Sequence, residues 1–317
     1  MSGWSGARSS AAPRCSSART RPLSAHRRGI LLIASAAICW SSGGLIARLV
    51  ATDGWTTVFW RSCFCALFLL AVIALGARGR IRPVFRAMGL PGVAMGLCFA
   101  AASTCFIMAL RRTSVANVLI IHSTAPFIAG LIGWLWLGER VAPRTWVAMT
   151  VALGGTALMV SASFGRRALA GDALAIVTAL GFAMATVIMR RRQHLRMLPA
   201  ACMAATFAGA FAFPHAAPAT AGARDLALLA LFGVGQLGLG LILYTAGARL
   251  LPAAEAALIA VLETVLGPIW VWLAVGESPG PLSLAGGAVV LGALAVHTAL
   301  DLGRSGTRAA CPGGRSG

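Results

Sequence analysis

Apolar residues run along this chain in long stretches, without the period-two or one-faced helical patterns of soluble domains. Ten windows stand out: 29–50, 55–76, 88–110, 114–137, 144–161, 171–190, 197–214, 226–248, 252–275 and 281–300. A helix needs roughly 20 apolar residues, rising about 1.5 Å each, to cross a hydrocarbon core of about 30 Å. Each window meets that length closely, with 144–161 and 197–214 the shortest. Turn-forming residues fall between the windows: Asp53-Gly54, Pro143, Gly171-Asp172, Pro214, Pro252 and Pro279-Gly280-Pro281. The pattern predicts an all-α integral membrane protein with ten transmembrane helices.

Composition agrees. Of 317 residues, 58% are apolar and 11% charged, whereas soluble domains carry about 25% charged residues. The net charge of +19 rests on 27 basic side chains, all arginine. In a soluble protein such basicity points to nucleic acid. Here the loops account for it. The N-terminal tail, the even-numbered loops and the C-terminal tail together hold 20 arginines, and the odd-numbered loops hold five; Arg48 and Arg61 lie within windows. The basic side of a multi-pass protein faces the cytoplasm. Both termini are therefore expected there, in a bacterial-type inner membrane, with the lipid bilayer as partner and no nucleic acid.

Residues 1–28 are rich in Ser, Ala and Arg and contain no acid, as transit peptides do, but they read as a disordered cytoplasmic tail or as translation from an upstream start. Residues 301–317 form a matching C-terminal tail. The cysteines sit mostly inside windows without metal-ligand spacing, as small apolar residues do. No Walker loop, HExxH or GxSxG motif is present, and no cofactor or metal is expected. Gly233–Gly238 spells GxGxxG, but within an apolar window, where glycines serve close helix packing.

The chain repeats itself. Shifted by 138 residues, 109–158 falls on 247–296 without a gap and with twelve identities, including Trp134 on Trp272, Gly138-Glu139 on Gly276-Glu277 and Pro143 on Pro281. A shift of 142 lays Gly29 on Gly171, Trp40 on Phe182 and Arg48 on Arg190. Two halves follow, 29–161 and 171–300, with five spans each. An odd number of spans per half inverts the second half in the membrane, and inverted repeats are the architecture of alternating-access carriers.

The stretch ALRRTSVANVLIIHSTAPFIAGLIGWLWLGERVAPRTWVAMTVALGGTALMV, with Ala116, Pro126, Gly138-Glu139-Arg140 and Gly154-Gly155, resembles part of an EamA repeat of the drug/metabolite transporter superfamily. The second copy keeps Ala254, Glu263, Gly276-Glu277 and Gly292. The resemblance covers about 28–301. It implies a secondary transporter with a pathway lined by spans one, three, four, six, eight and nine. It also implies export of a small solute such as an amino acid, a derivative or a drug-like compound. Members often carry Glu-Pro in the ninth span, where this chain has Glu263-Thr264 and its next proline at Pro268. A break in that span is therefore expected about one turn further on.

The candidate residues follow from scarcity. Glu263 is the deepest carboxylate, and an ionisable group at that depth faces a cavity or a partner. His122, near mid-span four, is its expected partner, because the 138-residue shift places Glu263 on Ala125, within one turn of it. The pair are candidates for proton coupling. Trp40, Ser41, Ser42, Phe182, Gln236 and Tyr244 are candidates for the substrate pathway, each with an alternative role in interhelical packing. Asn117 and Glu255 coincide under the same shift near helix ends, within reach of water, as gate candidates. Pro126, Gly138, Glu139, Gly276 and Glu277 read as architectural, the acids stabilising the helix starts that Pro143 and Pro281 mark. Arg48 and Arg61 read as anchors that snorkel to the surface. The rival reading is an integral membrane enzyme or sensor without transport, for which the loops are too short to hold a domain. A small-molecule substrate is thus the expected partner; the residues leave oligomeric state open.

Overall fold

The computed structural model describes residues 23–112, 115–161, 169–192, 197–276 and 280–309. Every regular element among them is helical. The first half contains α1 (Leu23–Ser41), α2 (Gly43–Leu49), α3 (Gly54–Gly76), α4 (Ile81–Leu110), α5 (Val115–His122), α6 (Ala125–Leu137) and α7 (Pro143–Ser161). The second contains α8 (Leu169–Arg191), α9 (Leu198–Ala212), α10 (Ala223–Leu231), α11 (Leu239–Gly247), α12 (Ala253–Ala260), α13 (Leu262–Val275) and α14 (Pro281–Ala309). A π-helical turn, Phe232–Gly238, joins α10 to α11, which makes one continuous helical stretch. Seven stretches are long and apolar enough to cross a membrane, while Ala125–Leu137 and Leu284–Leu300 are apolar but shorter.

Local sequence explains the boundaries. Asp53 caps α3, its carboxylate accepting from the amides of Trp55 and Thr56 at 2.8 and 3.1 Å. Gly138 and Gly276, equivalent in the two repeats, end α6 and α13 with φ of 68° and 77°. That left-handed region is where glycine closes a helix at no steric cost, which accounts for the glycine of each Gly-Glu pair. α4 starts seven residues before its apolar window and kinks at Gly89, ahead of Pro91, whose ring cannot continue the preceding helix. α1 likewise starts at Leu23, so His26, Arg27 and Arg28 are helical.

The two halves pack into each other. α4 lies along α8, α1 along α11, α12 and α13, and α6 along α8 and α12, while α7 pairs with α14 at one side. Small residues allow these approaches: a Cβ on Gly181 would lie 2.7 Å from the Cys98 carbonyl, and one on Gly155 would lie 2.9 Å from the Gly286 carbonyl. Gly233 of the GxGxxG stretch packs against the Arg61 carbonyl in the same manner. Large apolar side chains remain outward, among them Leu131, Trp134, Leu135 and Trp136 on α6, a face suited to lipid.

The helical stretches 115–137 and 253–275 are each interrupted. α5 gives way to α6 at Ser123–Thr124, and α12 gives way to α13 at Val261. The amide of Thr124 bonds to Ile121, that of Val261 to Leu258, and that of Thr264 to Val261, so three-residue steps replace the usual four. The 138-residue shift takes Ser123 onto Val261. The second break therefore sits two residues before Glu263, and its expected displacement toward Pro268 does not occur. Pro126 begins α6 just after its break, yet its counterpart Thr264 follows an equivalent break without a proline ring. The surrounding packing, in which α12 is buried from Ala253 to Ala260, holds the break there.

Candidate functional site

The two interruptions meet at the centre of the bundle. His122 ends α5 and Glu263 lies in the first turn of α13, and His122 Nε2 is 3.3 Å from Glu263 Oε1. Both side chains are mostly buried, at 13% and 17% exposure. An imidazole and a carboxylate at this distance form a charged pair when the ring is protonated.

Aromatic rings pack beside His122. Phe182 of α8 lies 5.3 Å from the His122 ring, 5.9 Å from Trp40 and 5.2 Å from Tyr244, while Trp40 and Tyr244 are 5.0 Å apart. Phe99 of α4 closes the group edge-on, 5.9 Å from Phe182. Tyr244 is fully buried and its hydroxyl bonds to Thr186 Oγ1 at 2.8 Å. A Cβ on Gly240 would collide with the Trp40 indole, so this glycine makes room for the ring.

Polar groups surround the rings. Gln236 Nε2, from the π-helical turn, donates to the Trp40 carbonyl at 3.1 Å. Trp270 Nε1 donates to Ser41 Oγ at 2.7 Å, Ser41 donates to the Ile38 carbonyl, and Ser42 donates to that of Cys39. Three buried polar atoms of the cluster have no hydrogen-bond partner: Trp40 Nε1, His122 Nδ1 and Gln236 Oε1. Unsatisfied polar atoms are rare in folded interiors, so these mark unused hydrogen-bonding capacity among packed aromatic rings.

A second site lies at the arginine-rich end of the bundle, where a cavity of about 310 Å³ separates the halves. Glu139 and Arg190 line it and pair at 2.6 Å across the halves. The sequence reading gave Glu139 an architectural role at the start of α7; its ion pair with α8 is an additional link. His26 and Glu255 also line the cavity, 3.3 Å apart.

The structure thus brings together Trp40, Ser41, His122, Phe182, Gln236, Tyr244 and Glu263, with Ser42 alongside. It does not place Glu255 among them. Glu255 is only 5% exposed, contrary to the expectation of a water-accessible helix end, because α1, α6 and α8 cover α12. Arg61 is corrected as well. It does not snorkel but is 3% exposed, donating to Ser103 Oγ at 2.6 Å and lying 5.0 Å over the Phe232 ring. The Asn117 side chain and Glu277 lie outside the described residues. Sequence reasoning passed over His26, Thr186, Gly240 and Trp270. His26 sits in an arginine-rich tail, and the other three belong to spans where no polar pattern marks them.

Comparison with known proteins bears on the whole chain. The sequence profile of the EamA-like transporter family matches residues 27–161 and again 169–298. One crystal structure, described only as that of a protein, superposes with a TM-score of 0.75 at 19% identity, covering 87% of this chain and 98% of its own, a likeness of fold. No curated protein sequence matches the chain.

Proposed function

Because the chain belongs to the EamA-like transporter family through both of its repeats, we propose that it is a secondary transporter that moves a small amphipathic metabolite by alternating access. The ten spans form two inverted five-helix halves, both termini face the cytoplasm of a bacterial-type inner membrane, and the halves rock about the central cluster. The arginine distribution supports this orientation. The observation that carries the functional reading is the His122–Glu263 pair among Trp40, Phe182 and Tyr244, built from helices of both halves at two helix breaks. Broken helices at a repeat interface are where carriers of inverted-repeat architecture bind solute and coupling ion.

In this reading the rings hold the apolar part of the solute, and Trp40 Nε1 and Gln236 Oε1 supply hydrogen bonds. The His122–Glu263 pair exchanges its proton with the medium as access alternates, coupling export to the proton gradient. Purified protein in liposomes under an imposed pH gradient tests this, with a panel of amino acids, derivatives and drug-like amines as solutes. Accumulation that follows the gradient and disappears in Glu263→Gln is expected. Gradient-driven transport by Glu263→Gln equal to wild type overturns the coupling role, and absence of transport across the panel, with the protein folded, counts against the carrier reading.

A further inference from the structure

The arginine-rich end holds a second imidazole–carboxylate pair, remote from the aromatic cluster. His26 Nε2 on α1 and Glu255 Oε1 on α12 are 3.3 Å apart and join helices of different halves over the inter-half cavity. Neither atom has a hydrogen bond although both are buried. A buried carboxylate oxygen without a hydrogen bond is stabilised by a cation beside it. The two side chains form an ion pair across the halves when the His26 ring carries a proton.

Charged neighbours face this pair from every side. Arg144 comes from α7, Glu139 and Arg140 from the segment before it, and Arg190 from α8, where it is paired with Glu139. His297 of α14 lies within the electrostatic reach of Glu255, Arg144 and His26. Arg249 precedes α12 along the chain, and Arg27 and Arg28 on α1 point outward. Among these groups the imidazoles are the side chains that exchange protons near neutral pH.

We propose that His26 and Glu255 form a proton-binding latch that holds the two halves shut over this cavity. The inference rests on the reading that the halves move relative to one another. With one proton bound, the pair bridges α1 and α12. When the proton leaves, the Glu255 carboxylate is left buried beside a neutral ring, and the closed end yields to a hydrated, open one. Proton binding at this end thereby selects the side from which the central cluster is reached.

The full-length protein in lipid nanodiscs, carrying spin labels on unnatural side chains at Arg28 and Arg192, tests the latch through the distance between the halves. Both positions are exposed and lie on different halves. Raising the pH from about 5.5 to about 8.5, across the imidazole range, is expected to increase the open population roughly threefold or more. Neutralising the two partners must have opposite results. Glu255→Gln, which mimics the protonated acid, stays closed at both pH values, and His26→Gln, which cannot hold the proton, stays open at both. A variant that fails to fold is replaced by Glu255→Met or His26→Asn with the same expected directions. A wild-type distance insensitive to pH overturns the latch, as does a wild-type response retained in both variants, or one abolished by His122→Gln alone. Liposome transport by the same proteins separates the two readings. Transport without a pH-dependent distance removes the latch and keeps the carrier, and a pH-dependent distance without transport of any solute does the reverse.

Discussion

His122 and Glu263 face each other at 3.3 Å from the two sides of a repeat, each beside the interruption of its own span. The positions one after His122 and two before Glu263, Ser123 and Val261, are counterparts under the 138-residue shift. The pair is therefore a meeting of two equivalent breaks that carry different chemistry, a base in one half and an acid in the other. A bundle that kept either residue alone would bury a polar group without its partner.

Removing only one member of this pair should cost more than removing both. His122→Ala leaves the carboxylate without its ring, and breaking a buried pair by truncating one partner costs about 3–5 kcal/mol. The double variant His122→Ala/Glu263→Gln should recover much of the lost thermal stability while remaining unable to couple transport to protons. Thermal unfolding in detergent, compared across the two single variants and the double, checks this. Equal, additive losses would mean that the two residues act independently.

Gly240→Ala should displace the Trp40 ring, since its Cβ would collide with the indole. Overpacking of this kind costs about 1–3 kcal/mol. The expected result is a lower unfolding temperature and a changed tryptophan emission, with transport reduced roughly tenfold, which corresponds to about 1.4 kcal/mol. Trp40→Phe in the same background should relieve the clash and restore stability. Failure of that rescue would locate the defect elsewhere.

Thr186 and Tyr244 share a buried hydrogen bond of 2.8 Å. Thr186→Val keeps the side-chain shape but strands the phenol, and leaving a buried donor unsatisfied costs about 1–3 kcal/mol. Adding Tyr244→Phe should then cost little more. A double-mutant cycle read by denaturation measures the coupling, and strictly additive losses would show that the two hydroxyls do not depend on each other.

Asp53 ties acid sensitivity to one cap. Burial pushes its carboxyl upward, but the hydrogen bonds from Thr56 and Trp55 and the nearby Arg111 charge outweigh this and hold it below the usual carboxylate range. A lowered folded value means that the cap contributes its stability above the unfolded value of about 3.9 and loses it as pH falls through the folded value. Asp53→Ala should cost about 0.5–2 kcal/mol near neutral pH, the usual worth of such a cap. The gap to wild type should shrink as the pH is lowered past that range. A gap that stays constant down to strongly acidic pH would assign the effect to something other than the charge.

Much of this was legible in the residues because membrane spans are written in runs of apolar side chains and repeats in identical spacings. The convergence of Glu263 and His122 followed from depth and from the 138-residue shift, both of which are sequence quantities. Arg61 was not legible. Snorkelling and burial are both open to an arginine near a span end, and only the position of Ser103 and Phe232 on neighbouring helices distinguishes them. The burial of Glu255 was not legible for a related reason, because nearness to a helix end says nothing about which helices cover it. The sequence placed the break now seen at Val261 about one turn too far along. It lacks its proline, and the packing that maintains it is spread over other helices.

That break also has a mechanical meaning. A three-residue step rises about 2.0 Å and turns about 120° per residue, against about 1.5 Å and 100° in the regular helix. If the amide of Thr264 exchanged its acceptor, Val261, for the carbonyl one residue earlier, α13 would turn by roughly 20° per converted residue and draw in by about 0.5 Å. Glu263 would swing with it, away from His122. A single hydrogen bond choosing between two neighbouring carbonyls would then set the rotation of a whole helical segment.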